Sequence, residues 1–309
     1  MMLTRRSTLR FAVAAAAVAA LPSRAQTPPR TRLILLGTKG GPRVGGGRAN
    51  SSNLVLVDNV PYVVDCGMGV SERLTRAGVA LPNLRYVFIT HHHSDHNLEY
   101  GNLLYNAWAA GLRNPVETYG PKGLVDMTRV FWELNRFDIE TRIADEGRPD
   151  PRKLVNAHDV AGPGSVMQTE QVRVTAFRTP HPPILDNYAY KFEAPGRTIV
   201  FSSDTAYNPA LAEFAGGADV LVHEAMYGPG IDKLLARVPN AATLKEHLIA
   251  AHTLTEDVGK VAAAAGVKTL VMSHLVPGDD PTITDEMWAE GARKHFTGPI
   301  IVAKDLMEI

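Results

Sequence analysis

A chain of 309 residues, of which 45% are hydrophobic, is long enough to form one large domain or two small ones. Its formal net charge of zero argues against a surface built to bind nucleic acid. The single cysteine, Cys66, excludes an internal disulfide framework and a zinc site made of four cysteines.

The N-terminus has the order of segments that is typical of an export signal. The paired Arg5 and Arg6 precede the apolar residues 11–21, and small residues around Ala25 offer a cleavage position. The paired arginines favour the twin-arginine route, so residues 1–25 are predicted to be removed from a periplasmic or secreted protein. Cleavage would remove four arginines and no acidic residue, leaving 28 basic and 32 acidic residues and a net charge of −4. The alternative is a membrane anchor, for which the apolar run is short, because a span takes about 20 residues.

Residues 26–309 are predicted to form the folded domain, which begins with strands. Residues 31–36 predict a strand, and the glycine-rich residues 37–48 predict a loop over the mouth of a site. A phosphate-binding loop is not favoured, since no Gly-Lys-Ser/Thr follows and no helix opens. Residues 53–57 and 62–65 alternate as a hairpin.

The strongest chemical signal follows the next strand. Residues 84–89 predict a buried strand, and the run His-His-His-Ser-Asp-His comes directly after it at residues 91–96. Imidazole and carboxylate groups are ligands of Zn²⁺ and similar ions. A loop at a strand end can aim His91 and His93 at one point and Asp95 and His96 at a neighbouring one.

The middle of the chain predicts a helical insertion near residues 121–150, after a helix at 97–110 and a strand at 116–119. Residues 142–151, which are charged and carry prolines, predict an exposed loop. The aromatic-rich residues 131–137 have two interpretations of equal weight. They pack within the insertion, or they form a wall of a substrate pocket.

The second half predicts another sheet. Its strands are expected at residues 154–160, 171–177, 187–193 and 198–201, separated by Gly-Pro and Pro-Gly turn signals. Later strands are expected at 218–222 and 267–272. Polar residues stand at the ends of these strands, and the candidates are His181, Asp204, His223 and His274. Each has a plain alternative, since His181 is also an ordinary loop residue and Asp204 an ordinary helix cap.

Residues 91–96 resemble the metal signature His-x-His-x-Asp-His of the metallo-β-lactamase fold superfamily. The resemblance implies an α/β fold, an αββα sandwich of two mixed β-sheets flanked by helices, with the site in the cleft between the sheets. It also implies two Zn²⁺ ions, with Mn²⁺ or Fe²⁺ as alternatives, and Asp204 as the bridge between them. Asp65 and His223 are expected to support the ligands. The implied ligands are His91, His93, Asp95, His96, His181, Asp204 and His274.

Short segments narrow the resemblance to the ribonuclease Z and metal-dependent arylsulfatase branch. These segments are Leu-Gly-Thr at 36–38, Asp-Cys-Gly at 65–67, His-Glu-Ala at 223–225 and His-Thr at 252–253. In that branch a glutamate and a later histidine pair beside the metals, which implies Glu224 and His252 as catalytic residues together with Asp95. Met226 stands where the pattern has threonine, a modest departure.

The resulting hypothesis is an exported dinuclear zinc hydrolase that cleaves arylsulfate or phosphodiester bonds of small molecules by attack of metal-bound hydroxide. The alternatives are an acyl hydrolase of the lactonase or β-lactamase type and a ribonuclease Z-like phosphodiesterase. A non-hydrolytic electron-transfer protein would be expected to need a flavin domain that these residues do not predict. The expected partner is a small-molecule ester, not nucleic acid and, after removal of the signal, not a membrane. Whether the chain forms a homodimer is left open by the sequence.

Overall fold

The structure, a computed structural model, describes residues 29–309. The predicted export signal lies outside these described residues. Between residues 29 and 309, no helix combines the length and the apolar composition that crossing a membrane requires.

The helices and strands follow one another along the chain with short connections. Strands β1 to β14 are, in chain order, Thr31–Gly37, Ser52–Val57, Val60–Val64, Tyr86–Phe88, Val116–Gly120, Val155–Asp159, Gly164–Gln168, Arg173–Arg178, Tyr188–Ala194, Arg197–Phe201, Val220–Met226, Thr269–Val276, Ile300–Val302 and Met307–Glu308. Helices α1 to α10 are, in the same order, Val70–Arg76, Ser94–Asn97, Tyr100–Ala109, Leu124–Leu134, Arg136–Glu146, Ala210–Phe214, Ile231–Leu235, Leu244–Ala251, Thr255–Ala265 and Asp285–Arg293.

The strands form two seven-stranded sheets within the described residues. The first has the order β14-β1-β2-β3-β4-β5-β6 and the second the order β13-β12-β11-β10-β9-β8-β7. Each sheet is mixed, because its hairpins pair antiparallel and its crossovers pair parallel, as β2 with β3 and β3 with β4 do. The predicted pair of mixed sheets is therefore confirmed.

Side-chain alternation explains why the sheets stack. Leu33 and Leu35 of β1 point into the space between the sheets and meet Phe192 and Val222 of the second sheet, while Ile34 points to the helices on the outer face. A second apolar layer joins the first sheet to α1, α3 and α4, and a third joins the second sheet to α6, α9 and α10. The result is the αββα order of layers.

Two local predictions are wrong. Residues 154–160 were expected in the second sheet, but β6 pairs parallel with β5 at the edge of the first sheet. The helices α4 and α5 supply the long crossover that a parallel pair needs. The loop expected from residue 142 is helical as far as Glu146, because Ile139 anchors α5 in the core and Arg142 pairs with acidic side chains four residues away on either side.

Candidate metal centre

The predicted ligands meet at one end of the two sheets. His91 and Asp95 follow β4, His181 lies between β8 and β9, and Asp204 follows β10. His274 lies near the end of β12. Because parallel strands in both sheets end at this edge, residues far apart in the chain converge in the cleft between the sheets.

The first group of candidate ligands is His91, His93, His181 and Asp204, whose nitrogen and oxygen atoms all lie within 4.8 Å of one another. His91 Nε2 and His181 Nε2 lie 3.0 and 3.1 Å from His93 Nδ1. Asp204 Oδ2 is 3.9 Å from the Nε2 atoms of both His91 and His181. Three imidazoles and one carboxylate thus point at a common centre.

The second group is Asp95, His96 and His274, again within 4.8 Å. His274 Nε2 lies 3.2 Å from Asp95 Oδ2 and 3.2 Å from Asp204 Oδ2. His96 Nε2 is 3.3 Å from the same Asp204 oxygen. Asp204 therefore lies between the two groups, where the bridging role predicts it.

These residues fit bound cations by a test that does not depend on the resemblance. His96 Nε2 and Asp204 Oδ1 are buried and have no hydrogen-bond partner among the described residues. A buried polar atom without a partner costs roughly 1–3 kcal/mol. A metal ion bound at the second group would give His96 Nε2 the partner it lacks.

The histidines are oriented through their second ring nitrogens, as metal-ligating histidines commonly are. His96 Nδ1 lies 2.7 Å from Asp65 Oδ2, and His181 Nδ1 lies 2.9 Å from the carbonyl oxygen of Ala251. Nδ1 donates in both pairs, which leaves the Nε2 atom of each ring facing the centre. The predicted support from Asp65 thus has a structural basis.

Burial makes the first group ready to bind a cation. Burial lowers the pKa values of His91 and His181. Burial and the neighbouring His181 ring together lower the pKa of His93 to about 4. All three imidazoles are therefore neutral near pH 7. Neutral imidazole is the form that binds metal.

The carboxylates carry the negative charge of the site. Burial opposes ionisation of Asp204, but His274 and His96 hold its pKa well below the usual value. Burial likewise opposes the charging of His96, yet Asp204 and Asp65 raise its pKa well above the usual value. The buried carboxylates thus require nearby positive charge, which a metal ion would supply.

Backbone strain is concentrated at this site. Asp65, Ser203 and His274 have φ values of 65°, 58° and 45°, in the left-handed region that few non-glycine residues adopt. Gly40 packs against the His274 ring so closely that a Cβ there would lie 2.7 Å from its Cε1 atom. The loop after β1 therefore needs glycine at this position.

Glu224 and His252 lie beside the two groups, as predicted. His252 Nδ1 is 3.2 Å from Glu224 Oε1, which also accepts hydrogen bonds from the backbone N–H groups of Thr205 and Thr253 at 3.1 Å. Burial by itself lowers the pKa of His252, but the carboxylate of Glu224 raises it to about 9. The pair holds a proton at the edge of the cluster.

The structure does not bring His223 to the ligands. Its side chain shares the face of β11 with Leu221 and Ala225, which pack against the outer helices. Its Nδ1 lies 2.7 Å from the carbonyl oxygen of Glu224. His223 thus contacts the backbone of Glu224, which differs from the predicted support of metal ligands.

Three contacts at the site have no clear signal in the sequence. The N–H of Gly41 donates to Asp95 Oδ2 at 2.7 Å. Asn187 donates to the carbonyl oxygen of Asp204 at 2.7 Å. The His247 ring is half-buried with its centroid 6.0 Å from the His93 ring. Periodicity along α8 was the available clue, since His247 shares a face with Leu244 and Leu248.

A cavity of about 380 Å³ opens onto the cluster. Asp95, Asp204 and His252 lie at its polar end, and the loop at Gly40–Arg43 borders it, as the predicted loop over the site mouth requires. The aromatic residues 131–137 do not line this cavity. Phe131 packs against Gly101 and Trp132 is buried in the second apolar layer, so the structure supports the packing interpretation for these two residues, whereas Phe137 is exposed.

Replacing Asp65 by asparagine should weaken metal binding by about 10–100-fold, because His96 loses the carboxylate that orients it. Asparagine tolerates the left-handed backbone of this position, so the fold should persist. Competition with a chromogenic chelator measures the affinity. Asp58→Asn, in the exposed turn between β2 and β3, is the control, and an unchanged affinity in Asp65→Asn would contradict the assigned role.

Comparisons with known proteins agree with this geometry. Residues 61–275 match the model of the β-lactamase superfamily domain. Ribonuclease Z of Mycobacterium bovis is 31% identical over 280 residues, 90% of this chain and 97% of that protein. Ribonuclease Z of Mycobacterium marinum is 30% identical over the same shares.

Solved structures show the same fold. A metallo-β-lactamase fold protein from Bacillus subtilis superposes with a TM-score of 0.67 at 20% identity, over 90% of this chain and 98% of its own. The short form of human tRNase Z gives 0.64 at 22% identity, over the same shares. Since the family model covers most of the chain and the relatives cover nearly all of it, the protein belongs to the β-lactamase superfamily of metal-dependent hydrolases, in the branch that contains the ribonuclease Z proteins.

Proposed function

We propose that the protein is a metal-dependent phosphodiesterase in which His252 protonates the leaving oxygen. The observation that carries the proposal is the buried His252–Glu224 pair beside two clusters of candidate ligands. The relatives of similar length are ribonucleases, enzymes that act on phosphodiester bonds, which favours phosphodiester over sulfate ester. Of the functions predicted from the sequence, the phosphodiesterase is thus preferred.

The two groups of candidate ligands support a proposal of two metal ions, for which Zn²⁺ is the first candidate and Mn²⁺ or Fe²⁺ the alternatives. His91, His93 and His181 would hold one ion, and Asp95, His96 and His274 the other, with Asp204 between them. When bound, such ions supply positive charge to the phosphoryl oxygens and lower the pKa of water.

The protein's own groups would then position the attacking water and protonate the leaving oxygen. Asp95 lines the cavity and is held by the N–H of Gly41, so it can accept a hydrogen bond from the attacking water. Because Glu224 occupies Nδ1 of His252, the Nε2 atom remains free to face the substrate. A protonated His252 can give that proton to the departing alkoxide or phenoxide.

A sulfate ester of a small alcohol is the second candidate substrate. The supporting observation is the cavity itself, whose apolar wall suits an aryl or alkyl group irrespective of the anion attached. An acyl hydrolase is less favoured, since lactone cleavage does not generally need the His252–Glu224 pair.

A substrate panel tests the proposal. The protein, stripped and reloaded with Zn²⁺, Mn²⁺ or Fe²⁺, is given bis(4-nitrophenyl) phosphate, 4-nitrophenyl sulfate and an aryl lactone. We expect metal-dependent release of nitrophenol to be fastest from the phosphodiester. Faster cleavage of the sulfate would move the assignment to the second candidate, and activity on the lactone alone would overturn both.

We further propose that residues 1–25 direct export by the twin-arginine route. Replacing Arg5 and Arg6 by lysine should trap the full-length precursor in the cytoplasm, because that route requires the arginine pair. Cell fractionation and N-terminal sequencing measure the outcome, with a mature N-terminus expected near Gln26. Replacing Arg30, beyond the signal, is the control, and an exported double-lysine variant would refute the route.

A further inference from the structure

We propose that the substrate is a phosphodiester carrying a hydrophobic organic group, and that this group binds against the inner face of α8. The inference rests on the proposed phosphodiesterase function and deepens it. It concerns the end of the 380 Å³ cavity that lies away from the metal ligands.

That end of the cavity is apolar. The apolar residues that line it are Leu234, Val238, Leu244, Leu248 and Val276. Pockets of this kind take organic groups because burial releases apolar surface from water.

The wall is also supported from behind. Leu234 and Leu248 are buried in a cluster with Met226, Ile231 and Val276, against which Leu244 packs. The cluster fixes the wall in place before a ligand arrives, which limits the entropy lost on binding.

His247 marks the boundary between the apolar and the ionic ends. Leu244, His247 and Leu248 follow the three- and four-residue spacing of one helix face, and all three line the cavity. The His247 ring lies 5.9 and 6.0 Å from the rings of His181 and His252. A phosphoryl group among the ligands would therefore direct its organic substituent past His247 toward Leu244.

The charge at the mouth suits a single anion. Arg43 lines the cavity and, together with Arg237, binds Asp279 at N–O distances of 3.0–3.1 Å, so these three side chains carry one net positive charge. A polynucleotide would place several phosphates and hydroxyl-rich sugars near this mouth and the leucine wall. One charge and an apolar wall favour a small diester over RNA.

The test keeps the leaving group constant and varies the other substituent. The substrates are 4-nitrophenyl phosphodiesters of methanol, butanol, hexanol and glycerol, with the thymidine 5′-ester as a nucleotide. We expect kcat/KM to rise by up to about 4-fold for each methylene between methyl and hexyl. The glyceryl and thymidine esters should be cleaved no faster than the butyl ester.

Leu244→Gln should flatten this chain-length dependence, lowering kcat/KM for the hexyl ester by a larger factor than for the methyl ester. Ile249→Gln is the matched control, since Ile249 is on the same helix, is 62% exposed and does not line the cavity. Metal content and melting temperature check that both variants fold. A dependence that is absent in the wild type, or that survives in Leu244→Gln, would overturn the inference, as would preference for the thymidine ester.

Binding separates this inference from the proposed function. Calorimetry should show that hexylphosphonate binds the wild-type protein at least 10-fold more tightly than methylphosphonate, and that Leu244→Gln reduces the difference. If no phosphodiester is cleaved but this difference is present, the phosphodiesterase assignment fails and the apolar subsite stands. If phosphodiesters are cleaved and the difference is absent, the subsite fails alone.

Discussion

Asp204→Ala is expected to lose both metal ions and all measurable activity. The Oδ2 atom of Asp204 lies between the two ligand groups, 3.2 Å from His274 Nε2 and 3.3 Å from His96 Nε2. A carboxylate in that position offsets the repulsion between cations about 3.5–4 Å apart. Without this carboxylate, two cations bound by the two groups would repel each other with no negative charge between them.

Metal analysis after dialysis measures this result, with two ions per chain expected for the wild type. Asp204→Asn keeps the shape of the side chain and removes its charge, so it should lose at least one ion while folding normally. Asp186→Ala, in a half-buried loop position that contacts Arg178, is the control. Finding one ion or none in the metal-replete wild-type protein would contradict the dinuclear assignment.

His252→Ala is expected to keep both ions and to lose about 10²–10⁴-fold in rate, the range typical of removing a general acid. The loss should be smaller for a nitrophenyl leaving group than for an alkyl one, because nitrophenoxide leaves without much help from a proton. Rates on a series of aryl and alkyl esters measure this difference.

Two controls make the result specific. Metal content must be unchanged, since His252 lies within 4.8 Å of Asp204 and His274 and is close enough to act as a ligand itself. Loss of an ion in His252→Ala would reassign it to that role. An equal loss for good and poor leaving groups would mean that His252 orients the substrate.

Glu224→Gln should move the alkaline limb of the pH–rate profile to lower pH. The carboxylate favours the imidazolium and raises the pKa of His252 to about 9, against the effect of burial. The glutamine amide at this position carries no charge, so the pKa of His252 falls and the active protonated form is lost at lower pH. A limb that stays in place would show that another group sets it.

Some of the sequence-based predictions were wrong because they depend on contacts between segments that are far apart in the chain. Residues 154–160 have the alternation of a strand, but nothing within them states which sheet they join. The long crossover through α4 and α5 placed β6 beside β5. The helix at Arg136–Glu146 likewise depends on Ile139, whose burial is supplied by residues elsewhere in the chain.

The site residues likewise divide into those that a local pattern predicts and those that lie far apart in the chain. The spacing at residues 91–96, following a strand, determined that His91, His93, Asp95 and His96 would cluster, because their proximity is local. The resemblance of short segments supplied the distant candidates, including Asp204 and the pair of Glu224 and His252.

The sequence by itself determined most of the strands, the local metal-binding motif and the N-terminal signal pattern, all of which depend on neighbours along the chain. Only the tertiary structure decided that Gly41 holds the Asp95 carboxylate, that Asn187 holds the backbone carbonyl of Asp204, and that His247 lies inside the site. It also decided that α8, not the aromatic residues 131–137, walls the cavity. These contacts join residues far apart in the chain, and they are set by how the two sheets and their helices pack rather than by any short pattern.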